Sequence, residues 1–196
     1  MAVRLITSLI LIFIAFAAFP TEAKEEKPPL AVSIVADPLL RGRFNTQEEF
    51  DAHILDIINR ASLIFNMNVG RRLVLDALEV GLPPNTGFII NDINAFEYLS
   101  EKLNKHPSRF WVFLIYRPLA SCNIQGILAG CAVMNESRSI VVYNSDIRFA
   151  VQNLLHELGH NCGANHSESK NFIMYVNDRN AVSYGDKTSI IRDNCG

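Results

Sequence analysis

The sequence predicts an α/β fold in which helices cover a mostly parallel sheet. Short runs of apolar and β-branched residues alternate with longer segments whose apolar residues recur at helical spacing. Residues 110–116 are apolar almost throughout, as in a central strand that is covered on both faces. Because parallel neighbours need a helical crossover, this β-α-β-α-β order favours parallel pairing. With 196 residues, 49% of them hydrophobic, the chain is long enough for one domain with a sizeable core.

Four strands are predicted from runs rich in apolar residues and bounded by turn residues. They cover residues 31–36, 72–79, 110–116 and 139–143. The segment 122–134 is rich in glycine and small residues and breaks this rhythm. We expect it to contain an irregular edge strand.

Three long helices are predicted between and after these strands. Thr46 and Glu49 form a capping box, and apolar residues follow at helical spacing as far as Phe65. Asn94 with Glu97 caps a second helix, which runs to about residue 105.

The third helix is predicted over residues 147–162. Asp146 or Ser145 would cap its start, and Gly163 would end it in the left-handed conformation. The remainder of the chain, to Gly196, is predicted to be loop-rich with one short terminal helix.

The N-terminus has the features of a secretory signal peptide. Arg4 precedes an apolar run over residues 5–19, and Thr21-Glu22-Ala23 supplies a small-x-small cleavage pattern. We therefore expect residues 1–23 to be removed, leaving a secreted, extracellular domain over residues 24–196. The alternative is a retained signal anchor, although the apolar run is shorter than the roughly 20 residues of a spanning helix.

Charge and cysteine content narrow the class of protein. Lys and Arg total 18 against 20 Asp and Glu, without a basic stripe, so nothing favours nucleic acid or an anionic membrane as a partner. An even number of cysteines in a secreted chain predicts two disulfides, for which three connectivities are possible. The four are Cys122, Cys131, Cys162 and Cys195. Oligomeric state is not predicted.

The most informative segment spaces three histidines as H-E-x-x-H-x-x-G-x-x-H. At about 100° per helical residue, His156 and His160 project from one face and can share an ion. Gly163 lets the chain leave the helix and turn back, which brings His166 to the same ion. Three imidazoles around one Zn²⁺ leave a coordination position for water, as in catalytic zinc sites.

Glu157 stands beside the metal ligands without being one. It can take a proton from a zinc-bound water and pass it to a leaving amine, which is the chemistry of peptide-bond hydrolysis. Cys162 lies roughly 200° around the helix from His160 and should face away from the metal. His53 and His106 have no partner at metal-ligand spacing and are interpreted as ordinary core or surface residues.

At these residues the chain resembles the metzincin metalloproteases, whose extended zinc motif is followed by a methionine-containing turn. Met174, in Asn-Phe-Ile-Met-Tyr, would then be the apolar floor of the site. The likeness is strongest to the adamalysin (reprolysin) group and covers most of the mature chain, including the glycine-rich segment and the His-Glu-Leu-Gly-His-Asn run. It implies a zincin-like fold divided near residue 163, with a lower subdomain over residues 164–196.

The resemblance carries further expectations. Cys131 would pair with Cys195, leaving Cys122 to Cys162, and residues 126–132 would be an antiparallel edge strand that binds extended substrate. The function implied is a secreted zinc-dependent endopeptidase acting on proteins or peptides. Its alternative is a catalytically silent zinc-binding module. Ser167 departs from the aspartate usual in adamalysins, and no tyrosine stands where some metzincins place a fifth ligand.

Overall fold

The computed structural model describes residues 27–106, 108–120, 129–143, 145–175 and 181–196. The predicted signal peptide, Cys122 and the first part of the glycine-rich segment lie outside these ranges. Within them, no helix combines the length and apolarity that crossing a membrane requires.

A five-stranded sheet forms the centre of the molecule. The strands, in chain order, are β1 (Leu30–Ala36), β2 (Leu73–Val80), β3 (Ile90–Asn91), β4 (Phe110–Ile115), β5 (Leu119–Ala120), β6 (Gly130–Ala132) and β7 (Arg138–Val142). The sheet order is β2-β1-β4-β7-β6, with every pair parallel except β6 and β7. The predicted mostly parallel sheet with an antiparallel edge strand is therefore confirmed. The two-residue strands β3 and β5 form a separate parallel pair that the sequence pattern did not predict.

Helices cover both faces of the sheet. In chain order they are α1 (Pro38–Arg41), α2 (Gln47–Val69), α3 (Asp92–Lys105), α4 (Ile147–Asn161) and α5 (Thr188–Cys195). The long helices α2 and α4 pack side by side over the larger core, which α5 and the segment after α4 extend. Helix α3 covers a smaller core on the other face. Strand β4 is buried at every residue because it lies between the two cores.

The capping residues determine where the long helices begin and end. The Thr46 hydroxyl accepts from the Glu49 amide at 3.1 Å, as predicted, although the Glu49 carboxylate accepts from the Asn45 amide instead of completing the box. Helix α3 begins earlier than predicted, because Asn91 at the end of β3 caps it. Asn94 is thus inside the helix. Asp146 caps α4, and Gly163 ends it with φ +86°, as predicted.

Both disulfide pairings implied by the resemblance, Cys131 to Cys195 and Cys122 to Cys162, are wrong. Cys162 is bonded to Cys195, with their Cα atoms 5.7 Å apart. Cys131 is also disulfide-bonded, and its partner is therefore neither Cys162 nor Cys195. The reason is the position of α5, which packs against α2 and the end of α4, whereas β6, which carries Cys131, lies at the edge of the sheet. Cys162 faces α5 and turns away from the histidines, as its helical angle predicted.

Candidate metal centre

Helix α4 is attached to the edge of the sheet through two asparagines. Asn153 Nδ2 donates to the carbonyls of Ala129 and Val142, at 3.3 and 3.2 Å. Two turns later, Asn161 Nδ2 donates to two backbone carbonyls, one on each side of the β6–β7 turn, and its Oδ1 accepts from a serine hydroxyl of β7 at 2.6 Å. Neither residue was predicted from the sequence. The signal was present, because both amides are spaced four residues from Glu157 and form with it a buried polar row on α4.

The three predicted histidines converge. Their potential ligand atoms all lie within 4.8 Å of one another, and no other such cluster of three occurs in the part of the chain that the structure describes. The Nε2 atoms of His160 and His166 are 3.2 Å apart. A tetrahedral zinc ion with bonds of roughly 2.0–2.1 Å holds its nitrogen ligands about 3.3 Å apart, so this pair already has a suitable spacing.

Backbone carbonyls orient two of the rings. Nδ1 of His156 is 2.8 Å from the Ile173 carbonyl, and Nδ1 of His160 is 2.7 Å from the Ala164 carbonyl. A carbonyl only accepts hydrogen bonds, so each Nδ1 must carry the proton, and each neutral ring presents the lone pair of Nε2 to the centre of the cluster. Lone pairs directed at one another repel unless a proton or a cation lies among them. The donor set therefore suits a metal ion, and imidazole nitrogens suit Zn²⁺.

Burial keeps these rings uncharged. It lowers the pKa of His156 to about 4, with a smaller contribution from neighbouring His160. The pKa values of His160 and His166 are also lowered, in each case mainly by burial. Neutral imidazole is the form that binds a metal ion. The cluster is thus in its metal-binding form at neutral pH.

Glu157 is buried beside this cluster. Only 4% of its surface is exposed, and its Oε2 has no hydrogen-bond partner among the described residues. Burial raises its pKa to about 8. A buried carboxyl oxygen without a partner is costly, which indicates that a group absent from the protein chain completes its surroundings. A nearby cation would favour the ionised carboxylate and lower this pKa.

A methionine turn lies beneath the helix. Met174 is fully buried, and its carbonyl accepts from the Ser167 amide at 2.9 Å. A Cβ at Gly159 would overlap the Met174 sulfur, so the turn touches α4 only because residue 159 has no side chain. Tyr184 is also buried and donates its hydroxyl to the carbonyl of Leu155 at 2.7 Å. Met174 is thus buried against α4 at Gly159, which lies between the first two histidines of the motif in sequence.

The loop of the third histidine is held by a pair that sequence analysis did not find. The Ser167 hydroxyl donates to Asp186 Oδ1 at 3.0 Å and accepts from the Ser169 amide at 3.2 Å. Asp186 belongs to a short 3-10 helix, Gly185–Lys187, that leads into α5. A hydrogen bond from Lys187 is the main cause that lowers the pKa of Asp186. A carboxylate supplied from 19 residues downstream has no local sequence signal.

The remaining candidates lie away from the cluster. His53 Nε2 is 2.9 Å from the Tyr143 hydroxyl, and His106 is beside Asp76 with a separation of 3.3 Å. Neither histidine belongs to the group of three, as predicted. Val176, the position at which some metzincins place a tyrosine, is outside the described residues.

Comparisons with known proteins identify the architecture. The chain matches no protein-family model and no curated protein sequence. Among solved structures it is similar to archaemetzincin from Methanopyrus kandleri, with a TM-score of 0.62 and 18% identity over 85% of this chain and 95% of that one. The fold is zincin-like. A second similar chain, in a structure of a chaperone–substrate complex, has a TM-score of 0.63 and 15% identity over 86% of this chain and 35% of that one. Neither match favours the adamalysin group over other metzincins.

Proposed function

We propose that this zincin-like chain is a secreted zinc-dependent endopeptidase of the metzincin kind, most similar to the adamalysin group. The observation that carries the proposal is the convergence of His156, His160 and His166 on one point, with the buried carboxyl of Glu157 beside it. The similarity to archaemetzincin supports the same class, because the fold is shared over 85% of this chain and 95% of that one.

The three histidines would hold Zn²⁺ through their Nε2 atoms. When bound, the ion supplies a Lewis acid that polarises the scissile carbonyl and lowers the pKa of water. Glu157 accepts a proton at its carboxylate and returns it to the leaving amine. Its burial excludes bulk water, and the carbonyls of Ile173 and Ala164 keep two rings in the required tautomer.

Strand β6 would bind the substrate. It is at the edge of the sheet, and among the described residues it pairs only with β7. An extended peptide can add to such an edge by main-chain hydrogen bonds. Glu157 lies directly against Gly130 of this strand, so a peptide bound there would have its backbone near the carboxylate. Extended proteins or peptides are therefore the proposed substrates.

Metal binding is tested separately from activity. We expect purified protein to bind one equivalent of zinc, measured by elemental analysis after dialysis. His166→Gln should lower zinc affinity strongly, whereas His106→Gln, the matched control beside Asp76, should leave it unchanged. Equal zinc binding by both variants would show that the cluster is not the metal site.

Activity is tested with a casein substrate and a peptide library. We expect cleavage that a chelator abolishes and added zinc restores. Glu157→Gln keeps the volume of the side chain but removes the base, and should lower kcat by roughly 100- to 10,000-fold with zinc still bound. If the zinc-loaded wild type and this variant are equally inert, the chain is the catalytically silent zinc-binding module instead.

Secretion is a separate part of the proposal. Expression of the full chain in a secreting cell should yield a medium form whose N-terminus begins near Lys24, as determined by N-terminal sequencing. A full-length product retained in membranes would instead establish a signal anchor.

A further inference from the structure

Gly130, the first residue of β6, touches the carboxyl group of Glu157. A Cβ built on Gly130 would stand 2.8 Å from both Cγ and Cδ of Glu157 and closer still to Oε1. Carbon atoms in van der Waals contact are about 3.5–4.0 Å apart. No side chain larger than hydrogen fits at residue 130 while Glu157 keeps its position.

The backbone of Gly130 gives no other reason for glycine. The glycines with positive φ among the described residues are Gly70, Gly163 and Gly185, so Gly130 has a conformation that any residue adopts. Glycine inside a strand is unfavourable compared with alanine because it loses more conformational entropy on folding. The close approach of Glu157 is the feature that requires glycine.

Neither the backbone of β6 nor that of α4 can move away to make room for a side chain at residue 130. Ala129, the residue before Gly130, accepts from the Val142 amide at 2.8 Å and from Asn153 Nδ2 at 3.3 Å. These bonds attach β6 to β7 and to α4, one turn before Glu157. A side chain at residue 130 would therefore displace the Glu157 side chain, since rotating its torsions is easier than separating the helix from the sheet.

We propose that Gly130 is a positioning residue that determines where the Glu157 carboxylate lies. This inference rests on the proposed function only for its catalytic consequence. In Gly130→Ala the carboxyl group must move by about 1 Å to restore van der Waals contact. A misplacement of that size lowers the rate of an enzymatic reaction by roughly 100-fold, so kcat falls while KM and zinc content are unchanged.

The first experiment measures the contact without measuring activity. Unfolding midpoints in urea are determined on zinc-free protein for the wild type, Gly130→Ala, Glu157→Ala and the double variant. With Glu157 present, Gly130→Ala lowers the midpoint. With Glu157→Ala the overlap is gone, and the same substitution raises the midpoint because alanine is favoured in a strand. An equal effect in both backgrounds would overturn the proposal, whether or not the protein is an enzyme.

The second experiment measures the catalytic consequence on zinc-loaded protein. Gly130→Ala should lower kcat about 100-fold. The matched control is Gly87→Ala, because a Cβ at this exposed glycine meets nothing within 4 Å, and it should behave as wild type. Glu157→Asp shortens the carboxyl group and makes room for the methyl group. Relative to wild type, the kcat of the double variant Gly130→Ala/Glu157→Asp should therefore be at least about 10-fold higher than the product of the relative kcat values of the two single variants. Multiplicative losses, or an unchanged kcat in Gly130→Ala, would refute the positioning role.

Discussion

The disulfide between Cys162 and Cys195 joins the end of α4 to the end of α5, and its removal tests how the segment after residue 163 is stabilised. The two cysteines are 33 residues apart in the chain. Loop-closure entropy predicts that a crosslink of this span contributes about 3.7 kcal/mol, chiefly by restricting the unfolded chain. We expect Cys162→Ala/Cys195→Ala to lower the free energy of unfolding by about that amount.

The doubly substituted protein should still fold, because hydrogen bonds also hold the two segments that the disulfide joins. Asn194 Nδ2 donates to the Cys162 carbonyl at 2.8 Å, and Arg71 donates to the Cys195 carbonyl at 3.3 Å. Unfolding should be measured in urea with a chelator present, since a bound metal ion stabilises the folded form by mass action and would mask the difference. Ser189→Ala, at an exposed position of α5, is the matched control and should change stability little.

Two outcomes would refute this reasoning. A loss below about 1 kcal/mol would mean that the unfolded chain is not restricted as the loop-closure argument requires. The second outcome would come from peptide mapping without reduction. If the map shows Cys195 linked to Cys131, the pairing implied by the adamalysin resemblance is correct and the structural assignment fails.

Three further predictions concern the same scaffold. Gly159→Ala should lower the free energy of unfolding by about 1–3 kcal/mol, measured in urea, because the new methyl group overlaps the Met174 sulfur. Asn161→Leu removes one of the two donors to each of two backbone carbonyls and the acceptor of the buried Ser139 hydroxyl, and it should cost at least about 2 kcal/mol in the same assay. Burial lowers the pKa of His53 in the folded state, whereas the same imidazole in the unfolded chain has a pKa near 6.5. Stability should therefore fall as pH drops below about 6.5, and His53→Gln should show a smaller fall; an equal fall would contradict the assignment.

Local sequence patterns predicted those elements that are long or chemically distinctive. Strands β1, β4 and β7 and helices α2 and α4 are recognisable because their apolar spacing extends over several residues. Strands β3 and β5 have two residues each, too few for any periodicity, and they form only because the chain brings them together. Missing β3 also displaced the predicted start of α3, since its cap, Asn91, is the last residue of that strand.

The disulfide pairing depends on tertiary structure in the same way. Four cysteines allow three connectivities, and nothing in their spacing distinguishes them. The family resemblance favoured a different pairing from the one found. The connectivity is determined by the packing of α5 against α2 and not against the edge strand. Apolar residues such as Ile191, which belongs to the larger core, cause α5 to pack there. Sequence spacing does not contain that information.

The geometry of the candidate metal centre likewise depends partly on local sequence and partly on tertiary structure. His156 and His160 are placed by the helix alone, so their relative position needs only α4. His166 follows a left-handed turn at Gly163, and its loop is held by contacts with residues far along the chain, including Asp186. The third ligand therefore reaches the cluster only when the segment after residue 163 is folded. A metal ion that binds most tightly to all three rings together would therefore also stabilise that segment. Metal affinity and the stability of the segment after residue 163 should consequently change together in any variant that loosens this loop.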